Sequence, residues 1–311
     1  MKILMCTDGE EYAEQAIRFG SRFARVLDAD VTVLHVLPKT TPEVRTRFAK
    51  TRKKWEEWNR EIPAIAYLAR ASEILAQMGL DRPLPSGLTE VRHVFRPAEE
   101  GGVQLHLVGH GPERVRLKLR DGNPAEEILS EAQQGSYDLI MTGSRGHKGR
   151  ATYFIGSTAL RVAEFAPCSI LIAKNIKEQH DFLMCTDGSK QAEQAELFGA
   201  VIARALEAQV TVLSVASGEA ERKATQERAR RAEMVLNQLG IQARVKVRVG
   251  RPSEEIIEEA KDHDIVVMGA SGSSAVRRFF LGSVPLKVIE YGECPILLVR
   301  GKPAGRKAKS V

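Results

Sequence analysis

Gly143-Ser144-Arg145-Gly146, followed after nine intervening residues by Gly156-Ser157, and Gly269-Ala270-Ser271-Gly272, followed at the same interval by Gly282-Ser283, are two copies of one pattern. An apolar run precedes each copy, Leu139-Ile140-Met141 in the first and Ile265-Val266-Val267-Met268 in the second. Each copy therefore reads as a strand that ends in a glycine loop, then a connector, then a small Gly-Ser turn that starts a helix. Glycine suits such a place because it accepts positive φ and leaves the main chain bare. A phosphate can then reach the backbone N–H groups, with a helix N-terminus behind them. The glycine spacing is kept while most of the residues between differ. Two readings stand: paired phosphate-binding loops, or two loop–helix turns inherited by duplication.

The duplication extends through the chain. Leu4-Met5-Cys6-Thr7-Asp8-Gly9 returns unchanged as Leu183-Met184-Cys185-Thr186-Asp187-Gly188. Ala13-Glu14-Gln15-Ala16 and Val31-Thr32-Val33-Leu34 return at the same offset as Ala192-Glu193-Gln194-Ala195 and Val210-Thr211-Val212-Leu213. Further on, Gln77-Met78-Gly79-Leu80 resembles Gln238-Leu239-Gly240-Ile241, and Pro124-Ala125-Glu126-Glu127-Ile128 resembles Pro252-Ser253-Glu254-Glu255-Ile256, each at a smaller offset. The first half thus carries two extra pieces. The repeat sets the organisation: a first domain over 1–176, a second over 180–300, and a basic tail over 301–311. The extra pieces lie within about 40–63 and about 81–114.

Ile3 to Cys6 reads as an apolar strand, Glu11 to Leu27 as a helix with one apolar face, and Val31 to Leu37 as a buried strand. Strands separated by helices of this length imply right-handed crossovers and a parallel sheet. Each half reads as β-α-β-α-β-α-β-α-β. The fold class is α/β: two tandem doubly wound, Rossmann-like parallel-sheet domains, the first with an inserted helical and β segment. The helical piece runs from Glu43, breaks at Pro63 and ends at Gly79. Its Trp55 and Trp58 share a helical face, either of an ordinary amphipathic helix or of a partner-docking surface. Val91 to Phe95 and Val103 to Val108 alternate as a hairpin set beside the first sheet or extending it.

A hydrophobic content of 43% with 28% charged residues is that of a globular chain. No apolar run approaches the length of a membrane span, and Asp8 comes too early for a signal peptide. Four cysteines without a Cys-x-x-Cys pair fit a reduced, cytoplasmic setting. They read as small buried hydrophobes, with a redox role for Cys6 and Cys185 as the alternative. The net charge of +6 is concentrated in Arg300, Lys302, Arg306, Lys307 and Lys309. The body is close to neutral, which argues against a nucleic-acid surface, and the tail from Arg300 reads as a solvated end. His93, His106 and His110 lack the spacing of a zinc motif, so no metal site is assigned.

The Thr-Asp turns after the first strands, the doubled glycine pattern, and the endings Pro167-Cys168-Ser169-Ile170-Leu171-Ile172 and Cys294-Pro295-Ile296-Leu297-Leu298-Val299 together resemble the universal stress protein family, here as a tandem pair. The resemblance covers both halves but not the inserted pieces or the tail. It implies an ATP-binding protein of stress response or signalling, with or without Mg2+. The Thr-Asp turn, Thr7-Asp8 and Thr186-Asp187, would then lie at the adenine, and Val36 and Val215 would line the base pocket. Gly143, Arg145, Gly146, Gly156 and Ser157, with Gly269, Ser271, Gly272, Gly282 and Ser283, would hold ribose and phosphates. It also implies that the final strands, Ser169–Ala173 and Ile296–Val299, pair the two domains within the chain. A further homodimer and the protein partner stay open.

These positions have structural alternatives. Asp8, Asp187, Ser157 and Ser283 suit helix caps, and Arg145 suits a solvated loop. Ser271 stands where Arg145 does, and Pro285 removes a backbone donor, so the second site is expected to be the weaker. The chain lacks a Gly-x-x-x-x-Gly-Lys-Ser/Thr loop and a Gly-x-Gly-x-x-Gly fingerprint, and no catalytic base is poised. The alternatives to nucleotide-dependent stability or partner binding are a scaffold that binds no nucleotide and a slow ATP hydrolase.

Overall fold

Strands covered by helices on both faces bury both rows of side chains, and so run apolar without alternation. Ile3, Leu4 and Met5 show this, with no exposure at all. The computed structural model describes residues 1–37, 63–80, 92–97, 103–108, 115–144, 155–177, 181–271 and 281–301. By contact the chain divides into two compact units, Met1–Val162 and Ala163 to the chain end.

The first unit opens with β1 (Lys2–Cys6), α1 (Glu11–Val26) and β2 (Asp30–Leu37). The helix α2 (Pro63–Gln77) follows, then β3 (Arg92–Pro97), β4 (Val103–Val108) and β5 (Val115–Asp121). It closes with α3 (Pro124–Gly135), β6 (Leu139–Gly143) and α4 (Ser157–Phe165), whose last turn passes into the second unit. The strand order is β6-β1-β2-β5-β4-β3. β6, β1, β2 and β5 are parallel. The β3–β4 hairpin extends this sheet antiparallel to β5, with Val103 opposite Leu119. α1 buries the face formed by Ala13, Ala16, Ile17, Phe19, Phe23 and Ala24, as its periodicity predicts. α2 starts at Pro63, where proline fits a first helical turn. The residues before it, with Trp55 and Trp58, and the turn at Glu99-Glu100-Gly101-Gly102 lie outside the described residues, as do the side chains of His93, His106 and His110.

The second unit contains β7 (Ser169–Ala173), β8 (Asp181–Cys185), α5 (Lys190–Ala205), β9 (Gln209–Ala216), α6 (Arg222–Gln238) and β10 (Ala243–Val249). It continues with α7 (Pro252–Glu259), β11 (Ile265–Gly269), α8 (Ser283–Tyr291) and β12 (Ile296–Val299). Its order is β10-β9-β8-β11-β12-β7, parallel except that β7 runs antiparallel to β12. Ile172 faces Ile296 and Ile170 faces Leu298, so the two expected final strands do meet.

Two devices recur. On β5, Lys118 and Arg120 reach Glu131 of α3 at 2.7 and 3.2 Å, and Arg120 also reaches Glu127 at 2.8 Å. On β10, Lys246 and Arg248 reach Glu259 of α7 at 2.7 and 2.9 Å, and Arg248 also meets Glu255. The repeated strand cations therefore anchor the helix that begins at Pro124 or Pro252. The second device sits after the last strands. Lys174 is buried and donates to the carbonyls of Ile289 and Gly292, at 2.5 and 2.9 Å. Arg300 donates to those of Ala163 and Glu164, at 2.6 and 2.9 Å. Each cation caps a helix C-terminus, where the last carbonyls lack partners. Arg300 is thus not part of a solvated tail: its backbone and guanidinium are bound to Ser169 and to α4.

Candidate functional site

In an open parallel sheet, ligands gather beyond the carboxyl ends of the strands, at the point where the strand order reverses. In the first unit that point lies between β1 and β6, and in the second between β8 and β11. The candidate residues fall there. Thr7 and Asp8 follow β1, Val36 lies near the end of β2, and Gly143 ends β6. The Gly156 amide donates to the Ser144 carbonyl at 2.8 Å, which ties the Gly-Ser turn to the loop beyond β6. In the second unit Thr186 and Asp187 follow β8, Val215 lies on β9, and Gly269 ends β11. The Gly282 amide donates to the Ala270 carbonyl at 2.9 Å, beside Ser271. Arg145, Gly146 and Gly272 lie outside the described residues.

The Thr-Asp-Gly turn is wired identically in the two units. The Thr7 amide donates to the Leu34 carbonyl, and the Thr186 amide to that of Leu213, both at 2.9 Å. The Gly9 and Gly188 amides donate to the preceding threonine Oγ1, at 3.2 and 3.1 Å. The next amides, of Glu10 and Ser189, donate to Oδ1 of Asp8 and Asp187, at 3.1 and 3.0 Å. Each aspartate therefore closes an Asx turn with one oxygen. Neither is the helix cap. Glu10 holds that position before α1, without a capping side-chain hydrogen bond, and Ser189 caps α5 by accepting from the Ala192 amide.

The two acids differ in setting. Asp8 is half-buried and Asp187 exposed. Burial pushes the Asp8 carboxyl up from its ordinary value, partly offset by its backbone hydrogen bonds and the nearby His35. Half-burial of Asp8 has a visible partner. The Tyr67 ring of α2 lies against Gly9, and it meets His35 edge-on with ring centroids 5.2 Å apart. Arg228 of α6 occupies the corresponding place against Gly188 and donates to Thr225 at 2.7 Å. In the second unit the Thr186 hydroxyl also bonds Glu196, a buried acid whose carboxyl is raised, first by burial.

Ser157 and Ser283 are exposed first residues of α4 and α8, with Gly282 as the cap of the latter. The first N–H groups of a helix lack intrahelical partners. In α4 these belong to Ser157, Thr158 and Ala159. In α8 the third position is Pro285, so only Ser283 and Val284 remain. The bareness of Gly143 and Gly269 has a second cause that the sequence hid. A Cβ there would lie 3.2 Å from the Ala13 amide nitrogen and 3.0 Å from the Gln191 carbonyl group, in the first turns of α1 and α5. These glycines let a helix start pack on a strand end.

Some determinants escaped the sequence reading. His35 and Ser214 occupy one repeat position and differ in type, as do Tyr67 and Arg228. Glu196 has Ile17 as its counterpart. The four cysteines are buried and form no disulfide. Burial pushes the Cys185 thiol up and Cys294 to about 11, which disfavours the thiolate that redox chemistry needs. Among the described residues no cluster of His, Cys, Asp or Glu could hold a metal ion, and no helix is long and apolar enough to cross a membrane.

Two units, each with a hydrogen-bonded acidic turn after one strand and a Gly-Ser helix start tied to the end of the neighbouring strand, define a tandem Rossmann-like α/β protein with one candidate site per repeat. The chain belongs to the universal stress protein family, whose model matches residues 1–174 and 180–300. A universal stress protein of Synechocystis is 24% identical over 302 residues, covering 96% of this chain and 99% of its own. A universal stress protein from Archaeoglobus fulgidus shares the fold, with a TM-score of 0.65 at 18% identity over 96% of this chain and 98% of its own. A universal stress protein solved in complex with cAMP matches 40% of this chain and 99% of its own, at 22% identity and a TM-score of 0.34.

Proposed function

We propose that the chain binds ATP, with or without Mg2+, in both switch-point pockets, and that occupancy governs its stability or partner binding as a cytoplasmic stress or signalling protein. The observation that carries this is the bond from Gly156 to Ser144, and its counterpart from Gly282 to Ala270. It sets the helix-start amides, which lack intrahelical partners, next to the end of β6 or β11, the strand adjoining the one that Asp8 or Asp187 follows. Such amides take phosphate. In this reading Thr7, Asp8 and Val36 meet the adenine, and Gly143, Arg145, Gly146, Gly156 and Ser157 hold ribose and phosphates. Thr186, Asp187, Val215, Gly269, Ser271, Gly272, Gly282 and Ser283 do the same in the second pocket. Binding of cAMP by another family member is a property of that protein; the support here is the geometry of the turn and the helix start. The first pocket is the tighter, since α4 offers three free amides where α8 offers two.

The test is ATP titration of the purified chain by calorimetry, with thermal unfolding in parallel. A ligand at a hundredfold its Kd stabilises the folded form by about 2.7 kcal/mol. Heat of binding with a matching rise in melting temperature is expected, and neither effect at millimolar ATP would end the reading. Phosphate release over many turnovers would make the chain a hydrolase instead.

A further inference from the structure

The turn amides of Thr-Asp-Gly bond the same atoms in both units, but the threonine carbonyl takes its hydrogen bond from a different residue in each. The carbonyl of Thr7 accepts from His35 Nδ1 at 2.7 Å. The carbonyl of Thr186 accepts from Ser214 Oγ at 2.8 Å. The donors come from equivalent positions, one residue past Leu34 and Leu213, which pair with Cys6 and Cys185 in the same parallel register. Both donors are buried, at 7% and 1% exposure. Imidazole and hydroxyl share neither size nor shape, and their helix neighbours differ as well: Tyr67 meets His35, and Arg228 stands at the repeat position of Tyr67. The sequence has changed everything at this position but the donated proton.

That carbonyl has no other described donor. A strand-end carbonyl left bare inside the protein costs the desolvation of the group, and the peptide is free to rotate. It is the peptide joining the threonine to the aspartate. Its plane sets the direction from which Asp8 or Asp187 leaves the strand.

We infer that His35 and Ser214 are positioning residues for the two nucleotide pockets: each holds the Thr–Asp peptide so that the free carboxylate oxygen of Asp8 or Asp187 faces the ligand. The inference rests on the proposed nucleotide binding and adds the element that aims it. It also assigns the carbonyl bond, rather than the imidazole, as what the first pocket requires of position 35.

The duplication supplies the control. His35→Ala and His35→Ser leave nearly the same void, so any cavity cost is common to both. They differ in a hydroxyl, which the second unit shows can span the gap from this register. Calorimetric titration of the full chain with ATP compares wild type, His35→Ala, His35→Ser, Ser214→Ala and Ser214→Thr. The expected result is a weakening of roughly tenfold at one site in His35→Ala, about the worth of one buried hydrogen bond. His35→Ser returns to within about twofold of wild type. Ser214→Ala weakens the other site, and Ser214→Thr keeps it. Should the histidine variants fail to fold, the serine pair, which alters a single hydroxyl or methyl, decides alone. Equal affinities for the Ala and hydroxyl-bearing variants, whether both intact or both weak, would overturn the positioning role while wild-type binding keeps the nucleotide reading. Wild type that takes up no ATP would end both.

Discussion

Substituting Gly9 by alanine probes the turn from its other side. Gly9 has φ of +83°, where a Cβ costs about 1–2 kcal/mol. The added methyl would also enter the Tyr67 ring. That ring also packs edge-on against His35, and overpacking of this kind costs about 1–3 kcal/mol. Gly9→Ala should therefore destabilise by about 2–5 kcal/mol. Gly79, in the same unit, gives the control. Its φ is +74°, and a Cβ there meets Arg25 Nη1 at 3.6 Å, an ordinary contact. Gly79→Ala should lose only the backbone share, about 1–2 kcal/mol. Urea unfolding followed by far-ultraviolet circular dichroism reads both, through the midpoint at constant slope. Combining Gly9→Ala with Tyr67→Ala should recover the steric share as a coupling of about 1–3 kcal/mol. Equal losses for Gly9→Ala and Gly79→Ala, with no coupling to Tyr67, would refute the argument that the ring closes over this turn.

The β10–α7 ion cluster predicts a pH response. Burial alone would raise Glu259, but Lys246 and Arg248 more than offset it and hold the carboxyl below its ordinary 4.5. A carboxyl lowered on folding stabilises fully above its unfolded value and gives that up as pH falls through the folded one. Glu259→Gln should therefore cost about 1–3 kcal/mol at pH 7, and the gap to wild type in urea melts should close below about pH 4. Glu196 has the opposite sign, since its carboxyl is raised, chiefly by burial. Its ionised form opposes folding above the folded value, so Glu196→Gln should melt higher than wild type at pH 8, with the gain shrinking as the solution is acidified. Lys174→Met should lower the melting temperature and loosen the end of α8, seen as faster amide exchange around Val288–Gly292, because two carbonyls lose their donor.

The strands and helices were legible because duplicated apolar runs and glycines punctuate the chain twice, so each half checked the other. The hairpin edge showed in the alternation of Val103 to Val108. What the repeat could not show were positions where the halves solve one problem with different residues. His35 and Ser214 share no side-chain resemblance, and only the turn they both hold reveals the common task. In sequence Gly143 and Gly269 suggest room for a phosphate, while the structure adds that the first turns of α1 and α5 need that space. Arg300 looked like the start of a basic tail because a run of cations follows it. Its burial depends on the ends of α4, far away in sequence, and no local pattern records that.

The exchange of cations between Lys174 and Arg300 bears on how the chain can be cut. Arg300 closes a helix end at Ala163 and Glu164, and β7 finds its antiparallel partner in β12. The carbonyls of Ala163 and Glu164 and the edge of β7 thus wait for the last segment to be synthesised. A fragment stopped at 176 carries every motif of its repeat, yet leaves the β7 edge at Ile170 and Ile172 without its strand partners Leu298 and Ile296. For this chain the unit of sequence duplication and the unit of self-sufficiency do not coincide.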